Sequence, residues 1–240
     1  MEVTKQRTVL ITGAAGGLGS KLVEVFLTAG WRVAAGQHSQ QVHAATDNLR
    51  PVQLDVTNAS QVTAVVEELT AAWGHLDALI NNAAITADGL ITNLSLEDWQ
   101  RVLDVNLKGA FLCTQAVLPA MMLQQRDGHI INVSSFAAKN GHAGQVNYVA
   151  AKAGLIGLTQ SMARECGKRN VRVNAIFPGV LATPLNAHLT TEQLKELSGS
   201  NTLGRSTTLE EVAAFVLHLA GMRHVSGQVF QLDSRVSAWT

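Results

Sequence analysis

The chain has 240 residues, of which 18 are basic and 18 acidic, so its formal charge at neutral pH is zero. A chain without a basic surface lacks the electrostatic attraction that nucleic acids and anionic membranes require, and we expect neither as a partner. The length suits one α/β domain with a full-sized core, and we expect residues 1–240 to form a single domain.

Apolar runs rich in β-branched residues alternate with helical periodicities along the whole chain. The predicted strands are 8–12, 31–36, 51–54, 76–80, 129–133, 171–176 and 228–232. The predicted helices are 17–29, 59–73, 96–124, 147–168, 191–197 and 208–221. Repeated β–α units join parallel strands through right-handed crossovers. The sequence therefore predicts an α/β fold: a Rossmann-type doubly wound parallel sheet of about seven strands with helices on both faces.

The first strand leads into a glycine turn, Gly13-Ala14-Ala15-Gly16-Gly17-Leu18-Gly19, and then into a helix. Free N–H groups and the helix dipole at such a turn attract an anion, and glycine lets a pyrophosphate approach the backbone closely. We therefore expect a dinucleotide here, bound by Gly13, Ala15, Gly16, Gly17, Leu18 and Gly19. An ordinary glycine-rich β–α turn is the alternative.

Short segments that contain polar or turn-forming residues follow several of the other predicted strands. They are Asp55-Val56, Asn81-Asn82-Ala83-Ala84, Ser134-Ser135 and Pro178-Gly179. Each is able to act as a turn or a helix cap, which is the usual role of Asn, Asp and Ser. Because ligands of a parallel sheet bind at the carboxyl ends of its strands, the pattern favours a binding site at that edge.

The only tyrosine, Tyr148, stands four residues before Lys152, which places both side chains on one face of a helix. An ammonium beside a phenol favours the phenolate, so we expect Lys152 to bring the pKa of Tyr148 toward neutral. Such a pair is a candidate proton donor and acceptor. A half-buried Tyr148 beside a solvated Lys152 is the alternative.

Together these residues resemble the short-chain dehydrogenase/reductase family over essentially the whole chain. Thr12-Gly13-x3-Gly17-x-Gly19 resembles the family's cofactor loop, and Asn81–Ala84 resembles its Asn-Asn-Ala-Gly motif. The positions that match the catalytic set in order and spacing are Asn106, Ser135, Tyr148 and Lys152. The positions that match the segment lying against the nicotinamide are Pro178, Gly179 and Thr183.

The resemblance implies an oxidoreductase acting on CH–OH or C=O groups. Tyr148 would exchange a proton with the substrate oxygen while a hydride passes to or from the nicotinamide. Ser135 would hydrogen-bond that oxygen and stabilise its developing charge. Lys152 would bind the nicotinamide ribose, and Asn106 would hold a water that links Lys152 to solvent.

The choice of cofactor depends on the end of the second predicted strand. Gln37 stands where NAD-dependent relatives carry an acid that would repel a 2′-phosphate, and His38 is able to donate to that phosphate. The sequence therefore favours NADP(H), whose remaining contacts would come from Asp55, Val56, Asn82, Ala83 and Ala84. Since no Arg or Lys directly follows the strand, an NAD-dependent hydroxy-compound dehydrogenase of the same family is the alternative.

Within the family the chain is most similar to 3-oxoacyl-(acyl carrier protein) reductases, which implies an acyl-thioester substrate, a role in fatty acid biosynthesis and a homotetramer. The helices 96–124 and 147–168 would form the subunit contacts. Arg126 and Arg169 match positions at which those reductases dock the carrier protein, although a surface arginine is usually just solvated. Segment 183–205 would be a substrate lid. Four leucines of this segment face either an apolar substrate or the lid's own helix: Leu185, Leu189, Leu194 and Leu197.

Three departures from the family pattern stand out. Ala84 replaces a glycine, Leu232-Asp233-Ser234-Arg235 replaces Asp-Gly-Gly, and the polar segment 37–50 is short, with room for a brief helix at most. A non-catalytic dinucleotide-binding sensor and a sugar-nucleotide epimerase or dehydratase are the other functions considered. The complete catalytic set disfavours the sensor, and the short stretch after Lys152 disfavours the epimerase.

The cysteines and histidines set two further expectations. Cys113 and Cys166 fall in predicted helices as small buried residues, which suits a reducing, cytoplasmic setting. The eight histidines are scattered and none pairs with a cysteine at metal-ligand spacing, so we expect no metal.

Overall fold

A computed structural model describes residues 5–39, 43–125, 127–186, 190, 192–193 and 199–236. Among these residues seven strands form one sheet: β1 (Thr8–Ile11), β2 (Arg32–Gln37), β3 (Leu49–Gln53), β4 (Ala78–Asn81), β5 (Gly128–Val133), β6 (Val171–Phe177) and β7 (Val229–Gln231). Their order is β3-β2-β1-β4-β5-β6-β7, and every neighbouring pair is parallel. The predicted parallel sheet is confirmed.

The helices of the described residues are α1 (Gly17–Thr28), α2 (Ala59–Trp73), α3 (Leu96–Leu103), α4 (Gly109–Pro119), α5 (Ala137–Asn140), α6 (Val146–Cys166) and α7 (Leu209–Gly221). Wider π-helical turns follow α3 and α4, over Asp104–Lys108 and Ala120–Gln125, so the single helix predicted over 96–124 is divided. Short 3₁₀ turns cover Gly167–Arg169 and Pro184–Asn186. The short helix α5 was not predicted from the sequence.

Helices cover both faces of the sheet because successive strand residues point to opposite sides. Val9 and Ile11 of β1 pack in one core with residues of α1 and α7. Leu10 between them packs in the second core with residues of α2, α4 and α6. The alternation explains why the strands read as continuous apolar runs and not as alternating ones.

The edge strand β3 begins two residues earlier than predicted, at Leu49 instead of Pro51. A proline within a strand marks an edge, where one side needs no ladder partner, so it does not have to be the strand's first residue. Residues 43–48 between β2 and β3 contain no helix. The predicted helix 191–197 lies outside the described residues except for Glu192 and Gln193, which are helical.

Candidate active site

A cleft of about 960 Å³ opens at the carboxyl edge of the sheet. The strand order reverses between β1 and β4, so the chain leaves these neighbouring strands in opposite directions and a crevice remains between them. The predicted site residues that line it are Gly13, Ala15, Gly16, Gly17, Leu18, Gly19, Gln37, His38, Asn82, Ala84, Ser135, Tyr148, Lys152, Pro178, Gly179 and Thr183. Four others lie outside its lining: Asp55, Val56, Ala83 and Asn106.

The glycine turn packs so closely that some of its positions have no room for a side chain. Gly13 has a φ of +62°, and a Cβ on Gly19 would lie 2.1 Å from the Gly13 carbonyl oxygen. Gly16 caps α1 without a side-chain hydrogen bond, and the first turn carries no acidic residue. The N–H groups and the positive end of the helix dipole therefore face the cleft, which fits a pyrophosphate.

Asn82 and Thr12 hold this turn against the loop after β4. The Thr12 hydroxyl accepts the N–H groups of Asn82 and Ala83, each at 3.0 Å. The Asn82 amide donates to the carbonyls of Thr12 and Gly13 at 3.0 and 3.1 Å. Asn82 thus positions the glycine turn, and Ala83 packs behind it because a Cβ on Gly13 would meet the Ala83 Cα at 2.7 Å.

The end of β2 brings a neutral amide and an imidazole to the cleft. The Gln37 side chain is buried, whereas His38 is exposed and lies 3.8 Å from the Asp55 carboxylate. Burial would raise the pKa of Asp55, but hydrogen bonds from the hydroxyl and amide of Thr57, with a smaller effect of His38, bring it below its usual value. Asp55 is therefore ionised and braces the loop after β3.

Tyr148 lies in the first turn of α6, half-buried and hydrogen-bonded with the Ser135 side chain. Burial raises the pKa of Tyr148 to about 12, the hydrogen bond with Ser135 acts in the opposite direction, and the Asp88 carboxylate adds to the rise. The expectation that Lys152 brings this pKa toward neutral is wrong here because burial disfavours the phenolate more strongly than its neighbours favour it. The phenol is held protonated, as a proton donor requires.

Lys152 lies one helical turn further on, with its side chain almost completely buried. Its ammonium donates to the Val133 carbonyl at 2.7 Å and lies 5.6 Å from the centroid of the Tyr148 ring. Burial lowers the pKa of Lys152 to about 8. Of the two groups the lysine therefore loses its proton first.

Asn106 lies in the π-helical turn Asp104–Lys108, a widened geometry that often marks functional sites. Its side chain accepts from the Ile85 N–H and donates to the Ile85 carbonyl, both at 2.9 Å. The amide therefore fixes the loop that carries Ala84 and the cleft wall. Val56 is buried beside the same helix, where a Cβ on Gly109 would lie 2.6 Å from it.

Among the other side chains that line the cleft and were not singled out as site residues are Asp88, Phe136, His142, Gln145 and Arg235. The Gln145 amide donates to the Asp88 carboxylate at 2.9 Å, which joins the loop after β4 to the start of α6. Asp88 stands in an unremarkable loop sequence, so no pattern pointed to it. Arg235 had a signal in the segment 232–235, which departs from the family pattern.

Within the described residues, no group of His, Cys, Asp and Glu side chains is arranged to hold a metal ion. None of the helices of that same part of the chain is long and apolar enough to cross a membrane. Cys113 and Cys166 are both buried free thiols.

Comparison with known proteins gives similar relatives over nearly the full chain. A family model described as short chain dehydrogenase matches residues 7–194. The chain is 40% identical over 237 residues to the 3-oxoacyl-(acyl-carrier-protein) reductase FabG of Thermotoga maritima, covering 95% of this chain and 96% of the relative. It is 35% identical over 243 residues to an acetoacetyl-CoA reductase of Acinetobacter sp., covering 96% and 98%.

Solved structures give the same architecture. The structure of ElxO with NADP bound superposes with a TM-score of 0.88 at 26% identity, covering 95% of this chain and 98% of that one. A Tyr-to-Phe variant of ElxO with NADPH bound matches equally well. The similarity therefore extends over nearly the whole fold.

Proposed function

The chain belongs to the short-chain dehydrogenase family, and from this membership we propose that it is a carbonyl reductase that transfers a hydride from NADPH to a substrate carbonyl carbon. The observation that carries the proposal is the protonated Tyr148 phenol, hydrogen-bonded with Ser135 and one turn from Lys152 in a cleft that ends at an uncapped helix. A donor, an oxygen-binding hydroxyl and an anion site are the parts that this reaction requires.

Bound NADPH would supply the hydride. The glycine turn would hold its pyrophosphate. Thr183 lies against that turn: its methyl is 2.8 Å from the position that a Cβ on Gly17 would take. Gln37 presents no carboxylate to a 2′-phosphate, and His38 is exposed beside it, which supports NADP(H) over NAD(H). ElxO with NADP bound supports the same choice.

In the proton step, Ser135 donates to the substrate oxygen and keeps it within reach of Tyr148. Tyr148 gives its proton to that oxygen as the carbon accepts the hydride, and Lys152 stabilises the resulting phenolate. Asn106 contributes by fixing the Ile85 loop next to the cleft, and its proposed water would refill the Tyr148 proton through Lys152. Each of these roles is part of the proposal.

The proposed substrate class is a 3-oxoacyl thioester, which the names of the Thermotoga and Acinetobacter relatives support. Segment 183–205 would close over it, because Leu185, Asn186, Gln193 and Ser200 of this segment line the cleft. Of the four lid leucines named above, Leu185 is among the described residues, whereas Leu189, Leu194 and Leu197 lie outside them.

Docking of an acyl carrier protein is a separate part of the proposal. Arg169 is exposed in the 3₁₀ turn after α6, while Arg126 lies outside the described residues. α6 begins at the carboxyl edge and has 21 residues, so Arg169 lies about 30 Å from Tyr148, at the amino edge. A carrier bound there would serve the cleft of a neighbouring subunit.

A homotetramer and a cytoplasmic location complete the proposal. An apolar groove between the two long helical segments supports association: Gln100, Leu103, Asp104, Leu107, Lys108, Phe111, Gly154, Gly157, Leu158 and Ser161 line it. We call this set the helical groove. The two free cysteines support a reducing compartment.

The direct test of the reaction is NADPH consumption with 3-oxoacyl thioesters beside simple ketones, diketones and quinones. Among these four compound classes we expect thioesters to give the highest kcat/KM, and we expect NADPH to exceed NADH by at least about tenfold, a difference of about 1.4 kcal/mol. A preference for NADH would contradict the cofactor assignment. Tight NADPH binding without turnover of any of these compounds would instead indicate a sensor.

A further inference from the structure

Arg235 is a buried cation in the cleft that the reaction proposed above does not use. It closes the segment Leu232-Asp233-Ser234-Arg235, where the family resemblance expects Asp-Gly-Gly, so this chain places a long side chain where its relatives have little or none. The side chain is only 11% exposed and lines the cleft. Burial of a guanidinium is costly unless it meets partners, so its surroundings indicate its use.

Two neighbours hold the guanidinium in one orientation. It stacks on the Phe136 ring at 4.2 Å from the centroid, and its Nε lies 2.8 Å from a carboxylate oxygen of Asp233. The Asp233 side chain is fully buried, and its other oxygen accepts from the Gln231 amide at 2.7 Å and from the Arg235 N–H at 3.1 Å. The group is therefore preorganised before a ligand arrives.

The position of Phe136 places this cation at the substrate half of the cleft. Phe136 directly follows Ser135, whose hydroxyl would bind the reacting oxygen. It also follows β5, which lies three sheet positions from β2, or roughly 14 Å at the usual strand spacing. Arg235 is therefore too far from Gln37 and His38 to contact a 2′-phosphate of the cofactor.

The charges of the cleft favour an anion at this place. Of the described residues that line it, Lys152 and Arg235 carry positive charge and Asp88 carries negative charge. Asp233 lies behind Arg235 and forms an ion pair on the Nε side, while a guanidinium has a further fork of N–H donors on its terminal nitrogens. That fork matches the two oxygens of a carboxylate and binds them by paired, charge-assisted hydrogen bonds.

We propose that Arg235 is a specificity-determining residue that binds a carboxylate of the substrate, so that the preferred substrate is an oxo acid whose ketone carbonyl lies at Ser135 and Tyr148. This inference rests on the proposed reductase function for the reaction, and for the preferred substrate it replaces the 3-oxoacyl thioester with an oxo acid. A 3-oxoacyl thioester offers only a neutral carbonyl oxygen to the same guanidinium, which is a weaker acceptor.

The test compares acids with their neutral esters. Acetoacetate and 4-oxopentanoate are each assayed beside the methyl ester with NADPH, together with a 3-oxobutanoyl thioester, for wild type, Arg235→Gln, Arg235→Lys and the control Arg223→Gln. Arg223 is exposed outside the cleft, so the control loses the same charge elsewhere. Binding of the unreactive butanoate to the NADPH complex is followed by NADPH fluorescence, and the melting temperature checks the fold.

We expect the wild type to prefer at least one acid over its ester, and Arg235→Gln to lower the acid-to-ester ratio of kcat/KM at least tenfold, through KM for the acid. Arg235→Lys should fall between the two, Arg223→Gln should match wild type, and butanoate binding should weaken at least tenfold in Arg235→Gln. An unchanged ratio in a folded Arg235→Gln, or a wild-type preference for esters and thioester over both acids, overturns the inference but leaves the reductase intact. If no carbonyl is reduced, the proposed function fails and butanoate binding alone decides the role of Arg235.

Discussion

At the scale of single residues, burial decides the properties of the Tyr148–Lys152 pair. The same low-polarity surroundings raise the pKa of Tyr148 to about 12 and lower that of Lys152 to about 8, because each charged form loses its hydration. The two shifts favour a neutral phenol and an easily deprotonated amine. A reductase benefits, since its donor stays loaded over the whole physiological range.

The buried Lys152 has a cost that a substitution should reveal. Its folded-state pKa of about 8 lies below the ordinary 10.5, so below pH 8 both states are charged and the folded state carries the full desolvation cost. At about 1.4 kcal/mol per pKa unit this cost is roughly 3 kcal/mol. We expect Lys152→Met to raise the free energy of unfolding at pH 7 by about 1–3 kcal/mol, because the lost hydrogen bond with Val133 offsets part of the gain.

Urea unfolding of the wild type and of Lys152→Met between pH 7 and 10.5 measures this difference in stability. The wild type should gain stability as the pH rises from about 8 to 10.5, where the unfolded chain binds the extra proton, and the difference between the two proteins should shrink. The variant should have lost its turnover at every pH. If Lys152→Met is less stable than the wild type at pH 7, or if its gain in the free energy of unfolding does not change with pH, the buried-charge account is contradicted.

The sequence predicted that Tyr148 and Lys152 share one helical face, as they do in α6, but it did not predict their proton affinities. Spacing alone put Tyr148 and Lys152 on one helical face, because a helix repeats every 3.6 residues. Burial shifts both pKa values, and Ser135 and Asp88 shift that of Tyr148 further; other elements bring about these surroundings, and no local pattern contains that information. Asn106 shows the same limit, since its Ile85 partner lies 21 residues away.

At the scale of elements, the glycine turn determines whether the cleft exists. Gly19 packs so closely that a Cβ would lie 2.1 Å from the Gly13 carbonyl oxygen. The contacting atoms belong to the backbone, which cannot move aside as a flexible side chain could. We expect Gly19→Ala to raise the Kd for NADPH at least tenfold and to lower stability by about 1–3 kcal/mol, because the turn must open. Fluorescence titration with NADPH and thermal unfolding measure the two effects.

Gly167 supplies the matched control for this substitution. It has a helical φ of −59°, and a Cβ there would meet nothing within 4 Å. Gly167→Ala should leave NADPH binding unchanged and should be neutral or stabilise the chain by up to about 1 kcal/mol. Equal NADPH affinity in the Gly19 and Gly167 variants would contradict the role assigned to the turn.

The elements themselves were predictable to the extent that their periodicity is local. α2 was placed correctly because Asn58 caps its start and Gly74, with a φ of +73°, ends it. The π turns in the segment after Leu96 were missed, since one extra residue per turn leaves the apolar pattern almost unchanged. The placement of Asn106 depends on one of these turns.

At the scale of the whole molecule, the helical groove is the surface that a second copy would cover. Phe111 stands 44% exposed on it, and the small Gly157 leaves open space for a partner's side chain.

We expect four times the chain mass of 25.5 kDa in light scattering, and smaller species for Phe111→Lys, because a desolvated ammonium would oppose association. Leu123→Lys changes an apolar side chain that is 67% exposed outside the groove, and it should leave the mass unchanged. A monomeric wild type, or an equal effect of both variants, would contradict this interface.

The parallel sheet and the position of the cleft at its carboxyl edge followed from the alternation of strands and helices, because right-handed crossovers allow few arrangements. The contribution of the segment after β7 did not follow. Arg235 reaches the cleft only because the chain folds back beyond the last strand, and a loop path of this kind has no periodic signal. The substrate half of the cleft is therefore the part that the sequence defined least.

The measurement that tests the central claim most directly is NADPH oxidation by wild type and Tyr148→Phe with one reducible carbonyl compound, beside NADPH binding to both. Removing the hydroxyl removes the proton donor but leaves the ring and the glycine turn in place. We expect turnover to fall at least about 10²-fold, while the Kd for NADPH stays within about twofold. The NADPH-bound Tyr-to-Phe variant of ElxO is a precedent for that binding. Turnover within tenfold of wild type in Tyr148→Phe would contradict the account.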